Sequence, residues 1–261
     1  MINFNETVES SSMIQIKDIW KSFDDNKVLQ GVDLDVRHGD TMVVMGRSGC
    51  GKSVLLKLIV GLMKPDAGEI WIDGKEITKL KEKEINDVRK NIGMLFQSSA
   101  LFDSMNVFEN VGFMLAQHTH LSKQEIRDIV AEKLELVELP GTEELKPAEL
   151  SGGMRKRVGL ARALAINPDI VLYDEPTTGL DPITAAEINI LIKNLSAKLQ
   201  ITSIAVTHDM KSAFTIANRM AMMHDGKIIA SGTPEEMRQI EEPIVQRFIS
   251  GAPERSAIYE K

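Results

Sequence analysis

Cysteine and long apolar runs are scarce in this chain of 261 residues. The single cysteine, Cys50, cannot form a disulfide within the chain, which indicates a reducing compartment. No group of Cys and His residues has the spacing of a zinc site. The longest apolar stretch, residues 54–63, is interrupted by Lys57 and is far shorter than the roughly 20 residues that span a bilayer. We therefore expect neither a disulfide scaffold nor a chain that crosses a membrane by itself.

An excess of positive charge is also lacking. The chain has 31 Lys and Arg residues against 38 Asp and Glu residues, a formal net charge of −7. Because binding driven by phosphate neutralisation needs a basic surface, this balance argues against nucleic acid as a partner, although a local basic patch is compatible with it. The hydrophobic share of 43% is typical of a globular protein. The length fits one large α/β domain or a core with an inserted subdomain.

The apolar pattern predicts strands that alternate with helices, which indicates an α/β fold with a largely parallel sheet. A long helical stretch over 107–137 stands apart from this alternation, with a capping signal at Ser122 and Glu125 where its second helix begins. The predicted strands are 14–20, 32–36, 41–45, 69–72, 92–96, 169–173, 201–206, 220–223 and 228–231, and the helices of the core include 52–62 and 81–90.

Residues 46–53 match the phosphate-binding pattern GxxxxGK[ST] between a predicted strand and a predicted helix. Backbone N–H groups of such a turn can surround phosphate oxygens, and the positive end of the helix dipole faces the same anion. Lys52 can reach the outer phosphates, and the Ser53 hydroxyl can ligate Mg²⁺. The predicted nucleotide-binding residues here are Gly46, Arg47, Ser48, Gly49, Cys50, Gly51, Lys52 and Ser53.

A second motif is an apolar strand that ends in two carboxylates, Asp174 and Glu175. Ligands of parallel α/β sheets bind at the carboxyl ends of the strands. Asp174 is therefore predicted to hold Mg²⁺, and Glu175 to polarise the attacking water. Two carboxylates at a strand end can also be simply solvated, and the phosphate loop is what favours the catalytic interpretation.

A third motif, Ser151, Gly152 and Gly153, opens another predicted helix. A serine cap followed by two residues without side chains lets backbone N–H groups approach an anion. Together and in this order, the three motifs resemble those of the ATP-binding cassette family, over residues 14–233. The resemblance implies a P-loop NTPase of the α/β class, with a RecA-like core, an antiparallel β subdomain and an inserted helical subdomain.

Four further residues match positions of the family. Gln97 resembles the Q-loop glutamine, which contacts Mg²⁺ or water and faces the membrane partner, and His208 resembles the histidine that contacts the γ-phosphate. Phe23 stands where an aromatic residue stacks on adenine, and Asp181 lies in a sequence similar to the D-loop. Without the family, Gln97, His208 and Phe23 would be interpreted as ordinary loop, surface or core residues, and Asp181 as the N-cap of a helix.

The chain departs from the commonest family pattern at three positions. Met154 replaces a glutamine, Gly179 replaces an alanine and Phe23 replaces a tyrosine. None of these changes removes a phosphate contact. Cys50 lies in the phosphate loop, so its oxidation or alkylation should hinder ATP binding, and the alternative is that it is only a small filler.

The resemblance implies a homodimer with ATP between the phosphate loop of one subunit and residues 151–153 of the other. In this arrangement Ser53, Gln97 and Asp174 hold Mg²⁺. Glu175 is the catalytic base, Lys52 spreads the developing charge and His208 holds the γ-phosphate. A regulatory module without turnover is disfavoured because Glu175 and His208 are both present.

Transport by such a cassette implies a dimer of separate integral-membrane permease chains. Several apolar residues after Gln97 fit the groove that would receive the permease. An equal alternative is that they fill the core of the helical subdomain itself. These residues are Leu101, Phe102, Met105, Val107 and Phe108.

Residues 100–104, 107–111, 151–157 and 172–182 together resemble the ATPases of MCE-type transporters, especially the Mla phospholipid transport system. This implies phospholipid as cargo, a periplasmic MCE-domain protein and in some cases a small STAS-domain protein. The alternatives are a small-solute importer and, with less support, a soluble cassette that acts on DNA, RNA or ribosomes. Such soluble cassettes usually have two cassettes, a coiled coil or a basic linker, which this sequence lacks.

We divide the chain into a flexible arm at 1–12, the ATPase domain at 13–235 and a tail at 236–261. The helical subdomain covers about 98–164. The arm has no basic residue and no apolar run, so a secretory signal or transit peptide is not expected. We expect the protein on the cytoplasmic side of the bacterial inner membrane. The tail contains a short amphipathic piece at 244–249, which either docks on an ATPase subunit or frays.

Overall fold

The structure, a computed structural model, describes residues 12–252. Residues 1–11, most of the predicted arm, and residues 253–261 of the predicted tail lie outside the described residues. In the described part, no helix is both long enough and apolar enough to span a membrane.

A six-stranded sheet forms the centre of the molecule, in the order β10-β9-β3-β8-β7-β6. All of its pairs are parallel except β9 with β10. The predicted α/β class with a mainly parallel sheet is confirmed. Its strands are β3 (Thr41–Met45), β6 (Ile92–Leu95), β7 (Ile170–Asp174), β8 (Thr202–Thr207), β9 (Arg219–His224) and β10 (Lys227–Gly232).

A second, antiparallel sheet of four strands has the order β2-β1-β4-β5. It consists of β1 (Ser12–Phe23), β2 (Asn26–Arg37), β4 (Ala67–Ile72) and β5 (Lys75–Glu76). β1 and β2 are several residues longer than predicted, because paired polar residues extend them beyond their apolar centres. The two-residue strand β5 has no apolar signal and was not predicted.

Nine α-helices are found among the described residues. They are α1 (Lys52–Ile59), α2 (Glu82–Arg89), α3 (Val107–His118), α4 (Lys123–Leu136), α5 (Gly152–Leu164), α6 (Pro182–Leu199), α7 (Met210–Ile216), α8 (Pro234–Gln239) and α9 (Pro243–Ser250). The Ser122 side chain accepts from the backbone N–H of Glu125, so the predicted start of α4 is confirmed. α1 ends three residues before its predicted end, since Gly61 has a φ of 70°.

The core lies on both faces of the six-stranded sheet. Along β3, Val43 and Met45 belong to the cluster that includes α3, α4 and α5, whereas Met42 and Val44 face the antiparallel sheet and α1. This alternation is the two-residue period of a strand buried on both faces. The sheet is therefore held rigidly, and the loops at the carboxyl ends of β3, β6, β7 and β8 can position functional groups.

Candidate active site

The phosphate loop connects β3 to α1 and depends on glycine at both ends. A Cβ on Gly46 would lie 2.3 Å from the carbonyl oxygen of Met223, and Gly51 has a φ of 106°. Gly51 caps α1 without any side-chain hydrogen bond to its first N–H groups. These N–H groups can therefore bind an anion.

Lys52 is the first residue of α1, and its side chain folds back over the loop. Its Nζ donates to the carbonyl oxygens of Gly46 at 2.7 Å and Arg47 at 2.9 Å. The same Nζ lies 3.9 Å from Oε1 of Glu175, and Lys52 is only 5% exposed. The ammonium group therefore stands between the phosphate loop and the carboxylate at the end of β7.

Ser53 and Asp174 come together from different elements. The Ser53 hydroxyl donates to Oδ1 of Asp174 at 2.7 Å, which joins the start of α1 to the end of β7. A hydroxyl and a carboxylate oxygen form the hard donor set that Mg²⁺ prefers. No group of three His, Cys, Asp or Glu residues in the described chain could hold a metal alone. This pair consequently fits Mg²⁺ that is also bound by phosphate oxygens.

Glu175 is fixed by contacts from three sides. His208 Nδ1 lies 2.9 Å from its Oε1, and the hydroxyls of Thr178 and Thr207 donate to Oε2 at 3.1 and 3.4 Å. Its φ of 49° is in the left-handed region, a strained conformation for glutamate that functional sites tend to retain. Since its backbone N–H also donates to Val206 at 3.0 Å, the carboxylate has little freedom to turn away.

Lys52, Ser53, Glu175 and His208 line one cavity of about 450 Å³, and Asp174 lies just outside this lining, within hydrogen-bond distance of Ser53. The cavity also contains Gln97, which follows β6, and Phe23 at the end of β1. Phe23 is 44% exposed, so one face of its ring is accessible, and Lys21 Nζ lies 5.6 Å from the ring centroid. The structure thus brings together Phe23, Ser48, Gly49, Gly51, Lys52, Ser53, Gln97, Glu175 and His208.

Cys50 lies in the same loop as a half-buried thiol. Burial raises the pKa of the Cys50 thiol, and the nearby charge of Lys52 opposes this rise. Arg47, the remaining variable residue at the start of the loop, lines a different cavity together with His208 and residues of α9.

Gly46, Arg47 and Cys50 of the phosphate loop do not line the 450 Å³ cavity, and neither do the four predicted nucleotide-binding residues from α5 and α6. Ser151 caps α5, where its Oγ accepts from Met154 N–H at 3.2 Å, and Asp181 caps α6. A hydrogen bond from the Thr184 hydroxyl lowers the pKa of the Asp181 carboxyl. A Cβ on Gly153 would lie 2.6 Å from the Thr184 side chain, so the starts of α5 and α6 are adjacent. Ser151, Gly152, Gly153 and Asp181 therefore lie together at the starts of α5 and α6, outside the lining of the cavity.

The apolar residues after Gln97 divide between the two predicted roles. Val107 is fully buried and belongs to the core, which agrees with the second of the two alternatives. Phe102 is 44% exposed and packs against Phe113 with ring centroids 5.0 Å apart and the ring planes tilted by 45°. Met105 and Phe108 line a surface groove of about 420 Å³ between α3 and α4.

Three contacts to Glu175 and Gln97 were not predicted from the sequence. Two are the hydroxyls of Thr178 and Thr207, which flank the motifs but have no distinctive spacing. The third comes from Lys156, whose Nζ donates to the backbone carbonyls of both Gln97 and Glu175. Nothing in the sequence marks it among the three basic residues at 155–157.

Comparisons with known proteins identify one family. The sequence model of the family described as "ABC transporter" matches residues 29–178. The chain is 44% identical over 242 residues to "Intermembrane phospholipid transport system ATP-binding protein MlaF" of Haemophilus influenzae, which covers 93% of this chain and 92% of that protein. It is also 44% identical over 238 residues to "Probable ribonucleotide transport ATP-binding protein mkl" of Mycobacterium leprae, which covers 91% of this chain and 69% of that protein.

Among solved structures, the chain resembles the ATP-binding cassette MJ0796, described as a dimer in a post-hydrolysis state bound to ADP and Pi. The TM-score is 0.78 at 34% sequence identity, and the match covers 85% of this chain and 98% of that chain. The family match at residues 29–178 includes the phosphate loop, the carboxylates at the end of β7 and the start of α5.

Proposed function

The chain belongs to the ABC transporter family, and on that premise we propose that it drives phospholipid transport between the inner and outer membranes of a bacterial envelope. It binds ATP with Mg²⁺ and hydrolyses it to ADP and phosphate, as the ATPase of a transport system. It acts as a dimer together with a membrane permease. Transport of phospholipid by this system would maintain the lipid asymmetry of the outer membrane.

The placement of Glu175 is the observation that supports the catalytic part of this proposal. Its carboxylate lies 2.9 Å from His208 and 3.9 Å from Lys52 in one cavity. Glu175 accepts the proton of the attacking water, and the His208 ring, whose Nδ1 lies against Glu175, contacts the γ-phosphate. Lys52 stabilises the negative charge that develops on the phosphate oxygens.

The other residues of the site bind the nucleotide and Mg²⁺ and orient them. Ser53, Asp174 and Gln97 would hold Mg²⁺, which supplies neutralisation of phosphate charge when bound. The N–H groups at the start of α1 bind the phosphates, and the exposed face of Phe23 stacks on the adenine. Residues 151–153 and Asp181 complete the site of the opposite subunit, which accounts for their position outside the cavity.

The similarity to MlaF supports phospholipid as the cargo. The match extends over 92% of the Haemophilus influenzae protein, whose name states intermembrane phospholipid transport. On this basis the partners are an integral-membrane permease dimer, a periplasmic MCE-domain protein and in some systems a small STAS-domain protein. The chain would sit peripherally on the cytoplasmic side of the inner membrane. The groove between α3 and α4, with Met105, Phe108 and Phe113, fits an apolar segment of the permease.

A second cargo has its own support. The mkl relative, equally identical to this chain, is named for ribonucleotide transport. A small-solute importer therefore remains the alternative, with the same ATPase chemistry.

The cargo is tested by purifying the full chain from its native membranes in mild detergent and identifying the bound proteins and lipids by mass spectrometry. Phospholipid transport predicts a permease, an MCE-domain protein and enriched phospholipid. A permease with a soluble-substrate receptor and no MCE-domain protein would overturn the cargo assignment and leave the ATPase chemistry intact.

The catalytic assignment is tested by Glu175→Gln. Loss of the general base should lower kcat by about 10²–10⁴-fold, while ATP binding measured by calorimetry is retained. Glu135→Gln, which neutralises a carboxylate on the exposed face of α4, is the matched control and should keep the kcat of the unmodified chain. Normal steady-state turnover by Glu175→Gln would refute the assignment.

A further inference from the structure

Lys156 is a buried cation that joins two loops of the active site. It lies on α5, is 5% exposed, and its Nζ donates to the backbone carbonyl of Gln97 at 2.5 Å and to that of Glu175 at 3.3 Å. One side chain therefore holds Gln97, two residues beyond β6, and Glu175, the residue after β7.

The burial of this ammonium group is a specific arrangement. Burial lowers the pKa of Lys156, and the carboxylates of Glu175 and Asp174 oppose that shift. An unpaired charge in such surroundings would be strongly unfavourable, so the two carbonyls and the nearby carboxylates are what keep the ammonium group in place. The charge stands directly behind the strained backbone of Glu175, whose φ is 49°.

α5 holds the loop after Gln97 by a second cation. Arg162 donates to the carbonyl of Ser99 at 2.6 Å and to that of Ala100 at 2.7 Å. Both loop residues have positive φ, 63° and 45°, so the loop conformation depends on these external hydrogen bonds. The segment 97–100 is consequently fastened to α5, and Lys156 extends the same attachment to Glu175.

We propose that Lys156 is a positioning residue that couples the loop of Gln97 and the helix α5 to the backbone of the catalytic Glu175. This inference rests on the roles proposed above for Gln97 and Glu175. Displacement of the loop or of α5 pulls on the ammonium group and thereby on the Glu175 carbonyl. The Glu175 carboxylate thus reaches its catalytic orientation only when the loops of Gln97 and Glu175 are both bound to Lys156.

The test compares three variants of the full-length chain. Lys156→Met keeps the length of the side chain and removes the charge, and Lys156→Arg keeps a charged donor. Lys133→Met is the matched control, because Lys133 is equally buried, at 4% exposed, and bonds to Glu132 and Asn167 away from the site. For each variant we would measure kcat and KM for ATP, and hydrogen exchange of the amides at 97–100 and 175–178.

We expect Lys156→Met to lower kcat by about 10- to 100-fold, since small misplacements of a catalytic group have effects of this size, with KM changed less than about twofold. Lys156→Arg should restore most of the rate. Exchange should rise in both segments for Lys156→Met and in neither for Lys133→Met. If Lys156→Met does not fold, Lys156→Gln, which keeps a neutral donor, should fold and lose kcat in the same way.

A purely structural role would give a different pattern. A lower melting temperature for Lys156→Met with kcat equal to that of Lys133→Met would overturn the proposal, as would failure of Lys156→Arg to restore any rate. Normal turnover by Glu175→Gln would instead refute the catalytic assignment of Glu175, whatever the Lys156 variants do.

Discussion

At the scale of single residues, Cys50 shows how the phosphate loop controls the chemistry of its own side chains. The thiol is half-buried, and a Cβ on Gly46 would lie 2.9 Å from its Sγ. Burial raises the pKa of Cys50 more than the charge of Lys52 lowers it. The thiol therefore stays protonated to higher pH than a free cysteine, and the thiolate is the reactive form.

Alkylation of Cys50 by iodoacetamide should accordingly be slower than that of N-acetylcysteine at mildly alkaline pH. The midpoint of its rate against pH should lie above that of the free thiol, and MgATP should slow the reaction further by covering the loop. The rate is measured by mass spectrometry, with Cys50→Ala as the unreactive control. A midpoint at or below that of the free thiol would contradict this account.

Also at this scale, the sequence could predict the residues that stand at strand ends but not those that reach them from elsewhere. Asp174 and Glu175 follow an apolar strand, and this pattern marks them directly. Lys156 lies between Arg155 and Arg157, and only the packing of α5 decides that it points inward. Arg155 instead donates to the Leu150 carbonyl, and Arg157 pairs with Glu138.

At the scale of elements, the buried strands of the central sheet were the most predictable part of the fold. β3 was predicted with its observed bounds. All five of its residues are buried, and all but Thr41 are apolar. α7 was not predicted, since seven residues give too few helical turns for a clear period. Its start had a signal in Asp209, which caps the helix by accepting from the N–H groups of Lys211 and Ser212. The boundaries of the helical subdomain, about 98–164, stay a prediction.

α9 packs on the core of its own chain, and this contact can be tested by substitution. Val245 is fully buried in the cluster that contains residues of α3 to α6, whereas its neighbour Ile244 is 36% exposed. Val245→Ala should lower the free energy of unfolding by about 2 kcal/mol, from the lost methyl burial and the cavity left behind. Ile244→Ala is the matched control and should have a smaller effect, because Ile244 is partly exposed. The free energy of unfolding of both variants is measured by urea denaturation. Equal effects of the two substitutions would show that α9 does not pack on the core as described.

At the scale of the whole molecule, the two groups of residues that we propose to bind ATP do not line the same cavity. The phosphate loop and Glu175 line the 450 Å³ cavity, and Ser151 and Asp181 cap two adjacent helices outside it. We therefore expect both groups to contact one ATP only when they come from two copies of the chain. The structurally similar cassette MJ0796 is described as dimeric, which agrees with two copies that each supply half of each site.

ATP should therefore be the ligand that brings two copies together, and Ser151 should matter for this step. In the Glu175→Gln background, where bound ATP persists, sedimentation velocity should show a dimer with MgATP and a monomer without it. Ser151→Ala removes the hydroxyl next to the partner's phosphates and should weaken the dimer, while nucleotide binding to the phosphate loop is kept. Ser122→Ala controls for the lost helix cap, because Ser122 caps α4 in the same way and each cap contributes about 1 kcal/mol. Equal dimer affinities for the two alanine variants would mean that the start of α5 does not meet ATP across the interface.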